Sequence, residues 1–227
     1  MTYKKYITKG GNRRVSSIAS SAEFMVYCYR TLGKGGDDFV YKICHTEESS
    51  RRQRELERGL LDAMQKQPYE KITLTDLCRQ LGIPRKSFYR YFPTKEDCLL
   101  ALIDHTLSDC NDIALKNWDG TQELGQQVQL RFFRYWKDQE PFLNAVRDNG
   151  FRYLLLDRTT AIVDRMKENN VADSFARDQV EYFVAQGLMS TVLRWHHHGF
   201  RSSPEEMAEV FGQLLESANV SITRLLL

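Results

Sequence analysis

The sequence contains little proline and no long hydrophobic run. Only five prolines occur in 227 residues, which favours long helices because proline breaks a helix interior. No run of about 18 uncharged apolar residues is present, so no membrane-spanning helix is predicted. Apolar residues make up 42% of the chain, enough at this length to build a core without disulfides or metals. These features favour an all-α protein outside the membrane.

Cysteine is sparse and irregularly spaced. The five cysteines form no C-x-x-C pair, so neither a disulfide framework nor a zinc knuckle is indicated; they are Cys28, Cys44, Cys78, Cys98 and Cys110. The basic N-terminus leads into a stretch broken by serines and Glu23, which makes a poor secretory signal. We therefore expect reduced thiols and a cytoplasmic location.

Signals of catalysis and cofactor binding are also missing. The sequence shows no nucleophile and base pairing, no metal-ligand spacing and no cofactor loop, so we predict neither an enzyme nor a bound cofactor. Three consecutive histidines at 196–198 point about 100° apart on a helix and cannot all reach one ion. We predict no metal site there, since histidines near a helix C-terminus are favourable to its dipole.

Charge is distributed unevenly along the chain. Residues 51–96 hold 11 Lys and Arg against 6 Asp and Glu, a net of +5, whereas residues 97–227 carry a net of −6. The first 50 residues carry +3. A basic module beside an acidic one suggests a polyanionic partner for the first and another task for the second. We divide the chain into an N-terminal extension (1–46) of uncertain fold, a basic module (47–96) and a second domain (97–227).

The spacing of apolar residues predicts helices through both domains. One begins near Glu47 and ends at Pro68, and a second is capped by Thr73 and closed by Gly82. A short third helix follows and ends near Pro93, and Thr94 caps a fourth. The second domain is predicted to continue with helices at about 121–138, 141–148, 151–169, 174–198 and 204–226.

The two short helices around Gly82 predict a helix-turn-helix, the motif that lays its second helix into the major groove of DNA. Leu81, Ile83, Phe88 and Phe92 can hold that second helix on a small core. Cations and hydroxyls that suit phosphates and base edges are left to project from it; they are Arg85, Lys86, Ser87, Tyr89, Arg90 and Tyr91. The alternative is a charged, solvated helix with two core aromatics.

The stretch "TLTDLCRQLGIPRKSFYRYFPTKEDCLLALI" resembles the DNA-binding signature of the TetR family of bacterial repressors. The resemblance implies that Thr73 and Thr75 lie near the DNA backbone and that Arg85 and Lys86 face base edges. It assigns phosphate contacts to the following residues: Ser87, Tyr89 and Lys95. Arg90 and Tyr91 occupy more variable positions of the same surface. Pro68 stands where the family usually has glycine.

The same resemblance implies that residues 97–227 form a helical domain for ligand binding and dimerisation. "GLMSTVLRWHHHGFRSSPEEMAEVF" resembles the final helix pair of one subgroup, and its apolar stripe suggests a two-fold, four-helix interface. The proposed interface residues are Leu188, Val192, Trp195, Met207, Val210, Phe211, Leu214 and Leu215. The alternative for this stripe is a core within one chain.

Aromatic residues of the second domain could line a cavity or could be ordinary core. If a cavity exists, the candidate lining residues are Tyr135, Trp136, Tyr182 and Gln186. The function expected from these features is a homodimeric, double-stranded-DNA-binding repressor released by a small-molecule effector. The alternative keeps DNA binding but makes the second domain a docking surface for a protein partner, with no small-molecule effector. The effector, the operator and the sign of regulation are left open.

Overall fold

The computed structural model describes residues 41, 44, 46–114, 116, 122–167 and 175–214. Within these ranges the chain forms helices and turns and no strand, which confirms the all-α prediction. The helices are α1 (Glu47–Met64), a 3-10 helix (Tyr69–Lys71), α2 (Leu74–Gln80), α3 (Arg85–Tyr89), α4 (Lys95–Ala114), α5 (Gln122–Asp138), α6 (Glu140–Asp148), α7 (Arg152–Lys167), α8 (Phe175–His197) and α9 (204–214). The helix predicted to continue to 226 extends beyond the described residues.

Short side-chain caps fix where the first helices begin. Thr46 and Ser49 form a capping box at α1, in which the Ser49 N–H donates to Thr46 Oγ1 at 3.2 Å. The Asp76 N–H donates to Thr73 Oγ1 at 3.1 Å, so Thr73 caps α2 as predicted. These bonds satisfy N–H groups that have no partner inside a helix.

The turn between α2 and α3 requires glycine. Gly82 has φ of +64°, in the left-handed region that a side chain disfavours. Its N–H and that of Ile83 donate to the carbonyls of Arg79 and Cys78, which closes the C-terminus of α2. The buried rings of Phe88 and Phe92, with centroids 5.5 Å apart, then hold α3 on the core.

Helix α4 connects the basic module to the second domain. It has 20 residues and is therefore about 30 Å long. One part of it packs against α1, where Arg54 forms a bidentate ion pair with Asp109 at 2.7 and 2.8 Å, and another part packs against α5. The proposed domain boundary at 96/97 thus falls in the first turn of a continuous helix.

The second domain is a bundle around an aromatic core. The core's fully buried aromatic side chains are Phe132, Phe133, Trp136 and Phe142. Helices α7 and α8 pack together along their lengths, and the Phe211 ring of α9 lies 5.8 Å from that of Phe133. In the described part of the chain, no helix is long and apolar enough to cross a membrane.

A buried polar cluster within the second domain includes one residue of the N-terminal extension. Arg158 of α7 donates two hydrogen bonds to Asp104 of α4, at 2.7 and 2.5 Å, and the Tyr41 hydroxyl donates to the same carboxylate at 2.9 Å. Burial raises the pKa of Tyr41, so its hydroxyl remains a donor. Tyr41 is itself buried, so the expectation of uncertain fold for residues 1–46 does not extend to this residue; residues 1–40 lie outside the described part.

Candidate nucleic-acid interface

Helix α3 has one buried side and one polar, cationic side. Phe88 faces the core, while Arg85, Lys86, Tyr89 and Arg90 are exposed. The side chains of Ser87 and Tyr91 are half-buried at the edges of this surface. Helix α3 and the two residues that follow it thus carry the six predicted side chains, and the three cations among them are exposed.

Arg85 and Tyr89 are hydrogen-bonded to each other on that surface. Arg85 Nη2 donates a hydrogen bond to the Tyr89 hydroxyl oxygen at 2.9 Å, and its guanidinium carbon lies 5.7 Å from the centre of the Tyr89 ring. Residues four apart on a helix are neighbours, which permits this contact. The pair fixes the direction of the guanidinium and leaves the Tyr89 O–H able to donate to a phosphate oxygen. Tyr89 is 48% exposed, so the pair is open to solvent.

The threonines of α2 occupy different positions. The Thr73 hydroxyl accepts from the Asp76 N–H and donates to Asp76 Oδ2 at 2.6 Å. That hydrogen bond, first among its causes, holds the pKa of Asp76 below its usual value. The Thr73 hydroxyl is therefore engaged in capping α2, whereas Thr75 is exposed in the first turn. Thr75 is the better placed of the two for a backbone contact.

Lys95 makes contacts that its sequence motif does not reveal. Its Nζ donates to the carbonyl oxygens of Tyr69 and Ile72, each at 2.9 Å, and lies 3.9 Å from the centre of the Tyr69 ring. An ammonium group has three N–H donors. Two are used within the protein, so one is left for the phosphate contact predicted for Lys95.

Tyr69 is a residue of this region that sequence reasoning missed. It is buried, its hydroxyl donates to Glu96 Oε1 at 3.2 Å, and burial is the main cause that raises its pKa. Its backbone N–H donates to Asn149 Oδ1 at 2.6 Å, and its ring meets that of Phe151 edge to face at 5.1 Å. The partners lie far along the chain, so local patterns could not indicate them.

Two protein-family models match this chain. Residues 60–102 match the model described as bacterial regulatory proteins of the tetR family, and residues 125–217 match one described as a transcriptional regulator C-terminal region. The chain belongs to the TetR family. The first match covers the helix-turn-helix, and the second begins with α5 and extends past the described end of α9.

Individual relatives cover different parts of this TetR-family chain. HTH-type transcriptional regulator EthR from Mycobacterium tuberculosis and from Mycobacterium bovis is 33% identical over 87 residues, which is 38% of this chain and 34% of each relative. The match thus spans about a third of these relatives. The solved structure of the dihydroxyacetone kinase operon activator DhaS matches 73% of this chain and 94% of its own, with a TM-score of 0.51 and 20% identity. It shows a shared fold.

The four candidate ligand residues of this TetR-family chain are not brought together as one lining. Tyr135 and Trp136 are buried core residues, and the Tyr135 hydroxyl donates to the Thr106 carbonyl at 2.8 Å. Gln186 joins α8 to α7 through bonds from its Nε2 to the Leu156 carbonyl and the Thr160 hydroxyl. Tyr182 is 43% exposed and lies at the surface of the chain.

The proposed dimer stripe divides into a buried part and an exposed part. Leu188, Val192 and Trp195 are buried within one chain, as the alternative of a core within one chain predicts for them. Met207 and Phe211 are half-buried against the same core. Val210 and Leu214, four residues apart on α9, are 61% and 55% exposed. Leu215 lies outside the described residues.

The three histidines are separated by burial. His196 is buried and its Nε2 lies 2.9 Å from Asn144 Oδ1, while His197 and His198 are exposed. Burial is the main cause that lowers the pKa of His196. Among the described residues, no three His, Cys, Asp or Glu side chains are placed together to hold a metal ion.

Proposed function

We propose that this protein is a sequence-specific DNA-binding transcriptional regulator. The observation that carries the proposal is the surface of α3, where Phe88 anchors the helix and the Arg85–Tyr89 pair is presented to solvent. Lys86 and Arg90 add positive charge to the same surface. Guanidinium groups read guanine edges and neutralise phosphates, and hydroxyls donate to phosphate oxygens. A helix of this kind is suited to the major groove.

Selection of bound duplexes from a random DNA pool tests this function. We expect enrichment of a pseudo-palindrome, because a two-fold dimer presents two copies of α3 to equivalent half-sites. The exposed apolar residues Val210 and Leu214 on α9 support the proposed dimer. Failure to enrich any sequence, with a folded protein at low salt, would contradict the proposal.

Arg85→Ala is expected to weaken binding to the selected duplex about tenfold and to relax sequence choice at one position of each half-site. The reason is that a bidentate arginine contact with guanine discriminates by about 1–3 kcal/mol. Affinity titrations on the selected duplex and on a series with single base-pair changes measure both effects.

Two further variants serve as controls for Arg85→Ala. Tyr89→Phe removes only a hydroxyl and is expected to weaken binding to all sequences equally, since phosphate contacts carry no direct sequence information. Arg134→Ala removes another exposed arginine, which pairs with Glu205 in the second domain, and should leave DNA binding unchanged. An Arg85→Ala protein that keeps the wild-type sequence preference would contradict the assigned role of base contact.

We further propose that a small molecule in the second domain releases the protein from its operator, so that it acts as a repressor. Asn111 supports this proposal: it lies on α4, the helix shared by both domains, and its buried Oδ1 lacks a hydrogen-bond partner among the described residues. A ligand donor there would bias the orientation of α4. Repeating the DNA selection with candidate metabolites tests release, because a ligand shifts binding only through different affinities for the two states.

The alternative is a docking surface for a protein partner. It is favoured by Tyr153 on α7 and Phe183 on α8, which are 79% and 73% exposed. A contiguous patch of exposed apolar side chains marks an interaction site, and the alternative requires these two residues to belong to one such patch. Loss of partner binding in Tyr153→Ser and Phe183→Ser variants, with no release of the wild type from DNA by any metabolite, would favour docking over the effector.

A further inference from the structure

We infer that Asn149 is a positioning residue through which the second domain holds the helix-turn-helix in the orientation that binds DNA. Asn149 lies in the turn between α6 and α7, and it contacts Tyr69 in the basic module, 80 residues earlier in the chain. The inference rests on the proposed DNA-binding function. It adds a contact through which the second domain influences DNA binding.

The turn fixes the direction of the Asn149 side chain. Its Nδ2 donates to the Ala145 carbonyl at 2.8 Å, and since a carbonyl can only accept, the amide is oriented with Oδ1 outward. Gly150 reverses the chain with φ of +74°, and the Phe151 N–H donates to the Val146 carbonyl at 2.8 Å. Asn149 Oδ1 and the Phe151 ring are thereby presented to the same neighbour, Tyr69.

Tyr69 needs a capping group from outside its own segment. It is the first residue of the 3-10 helix, and the preceding Pro68 provides no side-chain cap. The first N–H groups of a helix have no acceptor inside it, and burying one without a partner destabilises the fold. Asn149 Oδ1 accepts the Tyr69 N–H at 2.6 Å. The second domain therefore supplies the cap that the local sequence lacks.

Tyr69 also contacts Lys95, one of the residues proposed to contact DNA. Its carbonyl and ring hold the Lys95 ammonium, which also binds the carbonyl of Ile72. The next residue, Thr73, caps α2. A displacement of Asn149 would thus move an acceptor of Lys95 and the start of α2 together. Holding these groups before DNA arrives lowers the ordering cost of binding.

Asn149→Ala tests the inference, with Asn144→Ala as a matched control. Asn144 is a half-buried asparagine on α6 whose Oδ1 lies 2.9 Å from His196 Nε2, wholly within the second domain. Loss of one hydrogen bond, worth about 1 kcal/mol, should speed hydrogen exchange of the Tyr69 amide and weaken binding to the selected duplex, each about fivefold to tenfold. Asn144→Ala should change neither. Asn149→Asp keeps an acceptor for Tyr69 but loses the Nδ2 donor to the Ala145 carbonyl, so its affinity should lie between those of Asn149→Ala and the wild type.

The outcomes separate this inference from the proposed function. A wild-type chain that binds no selected duplex overturns the function and the inference resting on it. If the wild type binds but Asn149→Ala binds equally well, only the inference fails, whether or not Tyr69 exchange rises. Equal loss of affinity in Asn144→Ala and Asn149→Ala would also overturn it, because general weakening of the second domain would then explain both. If Asn149→Ala does not fold, Asn149→Ser replaces it, because the serine side chain is too short to reach the Tyr69 N–H. The inference then requires Asn149→Ser to bind the selected duplex more weakly than Asn149→Asp does.

Discussion

Replacing Asp104 by alanine is expected to lower the free energy of unfolding by about 3–5 kcal/mol, because breaking a buried ion pair leaves an uncompensated charge. The Arg158 side chain is only 16% exposed and directs two hydrogen bonds to this carboxylate. Tyr41 would lose its acceptor on the same group. The change should loosen α7 from α4 within the second domain.

Chemical denaturation of the full chain measures this effect against a surface pair. Asp109→Ala removes the partner of Arg54 on the same helix, but that carboxylate is 42% exposed, so we expect a loss of about 1 kcal/mol or less. The double change Asp104→Leu with Arg158→Met should recover much of the stability, since apolar replacements of a buried pair are often neutral. Equal losses for Asp104→Ala and Asp109→Ala would contradict the prediction.

Phe88→Ala is expected to cost about 3–5 kcal/mol and to abolish specific DNA binding, because a fully buried ring leaves a cavity. Phe88 is 0% exposed and its ring packs on that of Phe92. Helix α3 has only five residues, and so short a helix is not stable without tertiary packing. Loss of its anchor should therefore disorder the surface that carries Arg85 and Lys86.

Tyr89→Ala provides the comparison for Phe88→Ala at the neighbouring position. Because Tyr89 is exposed, its removal should change the free energy of unfolding by only about 0.5 kcal/mol, while DNA binding still weakens. Thermal unfolding and affinity titration of both variants separate the anchoring side of α3 from its contacting side. A Phe88→Ala protein with wild-type stability and affinity would show that the ring does not anchor α3.

Local chemistry made much of the basic module predictable. Thr73, Gly82 and Thr94 act on groups within a few residues of themselves, and the structure confirms the helix boundaries that they indicate. Phe88 and Phe92 were predicted as anchors because an apolar residue at helical spacing marks the buried side. The sequence pattern therefore predicted both the helix boundaries and the side of α3 that faces the core.

The second domain was less predictable because periodicity shows which side of a helix is buried but not what covers it. Leu188, Val192 and Trp195 satisfy the pattern of an interface as well as that of a core, and the fold assigns them to the core. Tyr182 belongs to an aromatic-rich helix, yet its side chain is partly in solvent. Packing partners decide such cases, and they come from distant parts of the chain.

The sequence alone determined the helical class, the helix-turn-helix and the cationic surface of α3, because each depends on residues that are neighbours in the chain. Only the tertiary structure decided that Asn149 caps Tyr69, that Lys95 is held by two carbonyls and that Arg158 pairs with Asp104. These contacts join groups 23 to 80 residues apart. They form because buried polar groups need hydrogen-bond partners, and here the partners lie on separate segments of the chain. A local sequence pattern does not show which segments will meet.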